Sequence, residues 1–178
     1  MAQRIPPATR RDLGLLNWVI AKVAARVIRA PEFHLVTTLG RSRLLLPGFV
    51  AYSLPLLKWG KLSLQDKEVV ILRVGHLRNS EYELQQHRRL ARTRGLDDAL
   101  QAKIFAGPDA EGLTDRQRTL LVAVDELIDD RDLCDTTFAA LSRHLSRPQI
   151  IEFCALATNY DAIAAMLAAL RVPMDFPD

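Results

Sequence analysis

Residues 64–95 read LQDKEVVILRVGHLRNSEYELQQHRRLARTRG, and the way this stretch divides decides the fold. On a helical wheel of about 100° per residue, Glu68 shares a stripe with Leu64, Ile71, Leu72 and Gly75, while Val69, Val70 and Val74 cover much of the remaining surface. A helix from about Leu64 to His76 is therefore buried on nearly every side. In the second half, Ser80, Glu83, Leu84, His87, Leu90 and Ala91 fall on one stripe and Glu81, Gln85, Arg88 and Arg92 lie opposite. That pattern predicts a second helix, Glu81 to Arg94, with one core-facing side and a stop at Gly95. The connection between the two is short, so they should pair as an antiparallel hairpin.

Outward from the hairpin the apolar spacing stays close to 3.6, and strand signals are almost absent. The spacing predicts helices at about Leu13–Arg29, Phe33–Leu39 and Ser42–Tyr52 before it, with Pro31, Pro47 and Pro55 as punctuation. After it come Asp97–Phe105, Asp115–Asp129, Asp135–Leu145 and a long Arg147–Leu170. Capping-box spacing marks Ser63/Asp66 loosely, then Ser80/Glu83, Thr114/Gln117 and Ser146/Gln149. With no linker, repeat or low-complexity stretch, the expectation is one all-α domain over residues 1–178, with about seven to nine helices and no sheet.

Composition narrows the function classes. Of 178 residues, 49% are apolar and 25% charged, with a net charge of +3, a soluble globular balance too weakly basic to point to nucleic acid. Arg88, Arg89, Arg92 and Arg94 form a basic run without interleaved aromatics, which reads as a solvated helix face or as a guide for an anionic substrate. The N-terminal apolar run is interrupted by Lys22 and Arg26 at helical spacing, so it reads as an amphipathic helix rather than a signal peptide. Ile150–Val172 carries Glu152, Asn159, Asp161 and Arg171, a poor membrane span. Cys134 and Cys154 cannot build a disulfide framework, which fits a reducing cytoplasm. Cys154 reads as inert core, and the acidic stretch before Cys134 should disfavour its thiolate.

The chemistry-bearing residues sit on the hairpin. Glu83 and His87 are neighbours at i and i+4, and Glu68 lies on a helix where an unpaired carboxylate is expensive. Two carboxylates and an imidazole in one apolar setting have their pKa values pushed apart, as acid–base chemistry near neutral pH requires. Competing readings are a capping Glu83, a satisfied buried His87, or a metal site made of Glu68, Glu83 and His87. Only one histidine is close, so no metal is expected. Asn159, Tyr160 and Asp161 are polar where the last helix is apolar, and either line a pocket or anchor a subunit contact.

The segment KEVVILRVGHLRNSEYELQQHRRLARTRGLDDALQAKIFAGP resembles the carboxymuconolactone decarboxylase family, of the superfamily that includes the alkyl hydroperoxidase D proteins. The matching residues are Glu68, Leu72-Arg73-Val74-Gly75, Tyr82-Glu83, His87, Ala91-Arg92 and Gly95, with looser likeness on both sides. The resemblance implies an alkyl hydroperoxidase D-like helical-hairpin bundle that assembles as a homo-oligomer (dimer, trimer or hexamer), with active sites near subunit interfaces.

It departs from the hydroperoxidase members where their two cysteines would stand, seven and four residues before the histidine. Ser80 and Glu83 occupy those positions, and neither replaces a thiolate. The resemblance is therefore to the cysteine-free branch, in which a Glu/His pair moves a proton during loss of carbon dioxide from a lactone acid. It implies a lyase of aromatic degradation with an anionic small-molecule substrate and no cofactor. The expected catalytic residues are His87 and Glu68 in proton transfer, Glu83 orienting the imidazole, and Tyr82 contributing from the rim. A peroxiredoxin-like antioxidant protein and a non-catalytic helical oligomer are the alternatives.

Overall fold

The computed structural model describes residues 4–176, and among them it contains nine α-helices and no strand. These are α1 (Arg10–Ile28), α2 (His34–Leu39), α3 (Leu45–Leu54), α4 (Leu64–Leu77), α5 (Glu81–Thr93), α6 (Asp98–Ala106), α7 (Asp115–Asp129), α8 (Asp135–His144) and α9 (Arg147–Leu170). The chain is all-α with the expected hairpin, and it divides into two compact units.

The first unit comprises the residues up to Pro55 and those from Met166 onward. Here two prolines behave differently from their reading as punctuation, and a glycine breaks an expected helix. Pro47 sits inside the first turn of α3, where a missing N–H costs no intrahelical bond. Pro55 does not end the helical path but opens a π-helical turn, Pro55–Trp59. Gly14 interrupts α1 with φ 70° and ψ 179°, a backbone state reserved for glycine, and Arg43 donates to the freed carbonyls of Arg11 and Asp12. Within this unit the α2 N-terminus is tied to Asp175, whose carboxylate accepts from the His34 backbone N–H at 2.7 Å.

The second unit, Leu56–Ala165, contains the functional hairpin. Its centre is α4, where ten consecutive residues from Asp66 to Gly75 are buried. The helix packs against α5, α6 and α7, and each fully buried Val, Leu or Ile on it contributes about 1.5–3 kcal/mol. Burial on all sides forces its charged side chains to find partners. Asp66 accepts two bonds from Arg116 at 2.8 and 3.0 Å, and Arg73 donates two to Asp125 at 2.6 and 2.7 Å. These forked pairs clamp α4 to α7 near both of its ends. Lys67 reaches the carbonyl of Leu57 at 3.3 Å.

Two backbone motifs fix the hairpin. Asn79 takes the left-handed conformation, φ 50°, and closes α4 with bonds from Ser80 N–H to Gly75 O (2.8 Å) and from Asn79 N–H to His76 O (3.1 Å). Gly95, φ 85°, closes α5 in the same way, with Leu96 N–H bonded to Ala91 O and Gly95 N–H to Arg92 O. The Ser63, Thr114 and Ser146 starts all carry cap bonds of the predicted spacing. Ser80 does not: its side chain makes no cap bond, and its N–H is already spent on Gly75.

Among the described residues α9 alone is long and apolar enough to cross a membrane, yet Phe153, Leu156 and Ala157 on it belong to the core. On α1 the side chains of Leu15, Leu16, Val19, Val23 and Val27 are exposed, Leu15 at 72%. Apolar stripes of this kind mark interfaces. Light scattering at micromolar concentration is expected to give a mass that is a multiple of 20.0 kDa, and Val23→Glu is expected to lower it; a clean wild-type monomer would count against a subunit contact here.

Candidate active site

Glu68, on buried α4, is fully inaccessible and accepts from two donors. One carboxylate oxygen receives the Arg94 guanidinium, and the other lies 2.9 Å from Nδ1 of His87. Arg94 can reach it because it is the C-cap residue of α5, held just before the Gly95 turn, where its side chain turns back over the hairpin. Against a guanidinium on its other oxygen, Glu68 serves as acceptor, so Nδ1 of His87 carries the ring proton. Nε2 is then a lone pair, and the phenol of Tyr160 donates to it at 3.0 Å. The two rings meet edge to face, with centroids 5.1 Å apart and planes at 85°. The outcome is one buried line of hydrogen bonds, Arg94–Glu68–His87–Tyr160, spanning α4, α5 and α9.

Burial, followed by the charges of Glu68 and Glu83, holds the Tyr160 phenol well above its ordinary pKa, with Arg94 pulling weakly the other way. Tyr160 is therefore a neutral donor at physiological pH.

Glu83 stands beside this line without joining it. Only 3% of the residue is exposed, and neither carboxylate oxygen has a hydrogen-bond partner. The backbone explains why: in a capping box Glu83 would bond the Ser80 N–H, but that group closes α4 on Gly75. Burial pushes the Glu83 carboxyl from 4.5 up to about 7. Ser80 and His87 draw it down, and Asp161 raises it a little further. Ser80 lies near enough to favour the charged form, yet its hydroxyl completes no well-formed bond to either oxygen. Gly75 permits the close approach of the helices here, since a Cβ on it would lie 3.2 Å from Leu84 and 3.8 Å from the Cβ of Glu83.

Glu68, Glu83 and His87 thus converge, but two expected roles change. The imidazole is oriented by Glu68 rather than Glu83, because Glu68 reaches across the hairpin to Nδ1. Tyr82 is buried, 6% exposed, instead of standing at a rim, and the phenol on the imidazole is Tyr160. Arg94 leaves the solvated basic face to hold Glu68, while Arg92 pairs with Asp98 and Arg88 lies over Phe105. Tyr160 and Arg94 are the residues that sequence reasoning left outside the site; the one sign of Tyr160 was a polar residue in an apolar run. Asp161 accepts from Arg78 and Arg131 and anchors α9 locally. Cys134 also departs from expectation: hydrogen bonding with Thr136 and Thr137 lowers its thiol pKa, outweighing burial and Glu126. Among the described residues no group of three or more His, Cys, Asp or Glu side chains is arranged to hold a metal ion.

Comparison with known proteins agrees with this picture. The model of the carboxymuconolactone decarboxylase family matches residues 44–126. No curated protein sequence matches significantly. Among solved structures, the alkylhydroperoxidase AhpD core of an uncharacterized peroxidase-related protein from Ralstonia eutropha superposes with a TM-score of 0.85 at 15% identity, covering 97% of this chain and 92% of that one. An uncharacterized peroxidase-related protein from a Silicibacter species gives 0.80 at 14% identity, over 97% and 94%. A cysteine-to-alanine variant of the debrominase Bmp8, in complex with 2,3,4-tribromopyrrole, gives 0.79 at 14% identity, over 98% and 92%. At these identities the likeness is one of fold.

Two outcomes follow from the geometry. A folded-state value near 7 means that folded Glu83 binds more protons than unfolded Glu83 between pH 4.5 and about 7. Stability therefore falls as pH rises through that window, by about 3 kcal/mol in all, and the loss is complete above it. Thermal melts of Glu83→Gln should show much of this slope gone, with the variant gaining most over wild type at pH 8. Second, Arg94→Met strands a fully buried carboxylate and should cost about 3–5 kcal/mol. Glu68→Gln leaves an arginine able to turn to water and should cost clearly less in denaturant titrations; equal losses would deny the asymmetry.

Proposed function

We propose that the chain, whose residues 44–126 match the carboxymuconolactone decarboxylase family, belongs to that family and is an acid–base enzyme acting on a small carboxylated lactone or a related organic acid. The observation that carries this reading is the pairing of opposite proton habits in one buried place. His87 is fixed in the Nδ1–H form by Glu68, and Glu83, unpartnered, changes protonation near neutral pH. A carboxyl that burial brings to the neutral range beside an imidazole of fixed tautomer places an acid next to a base.

For a lactone acid the chemistry is the loss of carbon dioxide. The bond between carbon and carboxylate breaks, its electron pair moves into the unsaturated ring toward the lactone carbonyl, and a proton is then delivered to carbon. His87, after taking a proton from solvent, supplies it as imidazolium stabilised by the Glu68 carboxylate behind it. Glu83 in its neutral form hydrogen-bonds the carbonyl oxygen where charge develops. No cofactor enters this scheme.

The redox alternative asks for a thiolate where Ser80 and Glu83 stand. Cys134, the residue before α8, is exposed and held by Glu126, Thr136 and Thr137.

A panel of carboxylated lactones, followed by carbon dioxide release and by solvent deuterium incorporation, tests the proposal. Turnover is expected to drop by roughly 10²–10⁴ in His87→Leu. Hydroperoxide reduction with a dithiol donor is expected to be absent. Peroxide turnover that vanishes in Cys134→Ser or Cys154→Ser, with no lactone acid consumed, would move the assignment to redox chemistry.

A further inference from the structure

Both nitrogens of the His87 imidazole are engaged inside the protein: Nδ1 by Glu68 at 2.9 Å and Nε2 by the phenol of Tyr160 at 3.0 Å. A substrate therefore finds no free lone pair on the ring. The phenol is differently placed. Its single proton goes to Nε2, and among the described residues no group donates to its oxygen, although the residue is buried at 6% exposure. An oxygen that gives its proton away and receives none in return is the open end of the hydrogen-bonded line.

We propose that Tyr160, rather than His87, is the catalytic residue that faces the substrate, and that it serves a substrate bearing an acidic C–H or O–H next to a carbonyl. The inference rests on the acid–base reading above. In the forward step the substrate proton moves to the phenol oxygen while the phenol proton moves to Nε2, so Tyr160 stays a neutral phenol throughout. His87 becomes imidazolium between Tyr160 and the Glu68 carboxylate, and the electron pair of the broken bond remains on the substrate as an enolate or alkoxide. Run in reverse, once His87 has taken a proton from solvent, the same relay delivers a proton to the carbon from which carbon dioxide has left. Nothing is oxidised or reduced, and the charge created on the ring meets the buried carboxylate already held by Arg94. A relay through tyrosine also accounts for retaining a phenol on the core side of α9, where phenylalanine would otherwise pack without a polar group to satisfy.

The test needs no known substrate. Diethyl pyrocarbonate acylates unprotonated imidazole nitrogens with a free lone pair, and peptide mass spectrometry reads each histidine separately. In wild-type protein at pH 7, His87 is expected to resist modification while half-buried His144 reacts. In Tyr160→Phe, which keeps the ring and its packing, His87 should react about tenfold faster or more. Wild-type His87 reacting as fast as His144, or a folded Tyr160→Phe variant with His87 still fully protected, would overturn the proposal. Should that variant fail to fold, ¹⁵N chemical shifts of the wild-type ring decide instead. A hydrogen-bonded, unprotonated Nε2 is expected, and a protonated Nε2 overturns the assignment. Failure of every lactone acid would sink the acid–base enzyme but leave this ring assignment standing, so the two failures are distinguishable.

Discussion

The carboxylate of Glu68 lies on a helix that has no solvent-facing side, and its compensation there shapes the rest of the unit. Ten successive buried residues on α4 bring four charged side chains into the interior. An unpaired buried charge is far more costly than a hydrogen-bonded one. Asp66 and Arg73 answer this with forked pairs to α7, which also fix the helix in position. Glu68 answers it with Arg94 and His87, and so draws the end and the middle of α5 to one point. The same bonds that make the carboxylate tolerable set the tautomer of the imidazole. Folding and chemistry share one set of contacts.

A second constraint is local and works through the backbone. The left-handed residue Asn79 lets the chain reverse in few residues, and the reversal uses the Ser80 N–H to satisfy a carbonyl of α4. That leaves Glu83 on the buried side of α5 with no backbone donor to cap. Its neutral-range carboxyl is thus a by-product of how the hairpin turns.

Much of this was legible in the sequence. The valine- and leucine-rich wheel of residues 64–76, the single apolar stripe of residues 80–91 and the short join between them were enough for a buried helix, an amphipathic partner and a hairpin. Glu68, Glu83 and His87 were legible because a charged residue on an apolar stripe departs from the pattern around it. The hidden features lie outside what periodicity records. A capping motif names residue types and spacing but cannot say whether the N–H it needs is already bonded, so Ser80 and Glu83 read as a cap. The prolines read as stops, yet a first-turn position and a π-helical turn absorb them.

By itself, the sequence determined which faces are apolar, which acids must be buried with them, and where the chain turns, because these are properties of neighbours within a few residues. Tertiary structure alone decided who meets those acids. Tyr160 lies 73 residues from His87, and Arg94 26 residues from Glu68, separations at which spacing carries no information about contact. Arg94 reads as one more exposed arginine until the Gly95 stop aims it inward. Tyr160 reads as a polar interruption until α9 packs and sets its phenol on the imidazole. Reversing roles between two glutamates on the paired helices of the hairpin required only that one reach across to a ring nitrogen and the other lose its donor. Both are facts of distance and direction in three dimensions, which a linear pattern cannot encode.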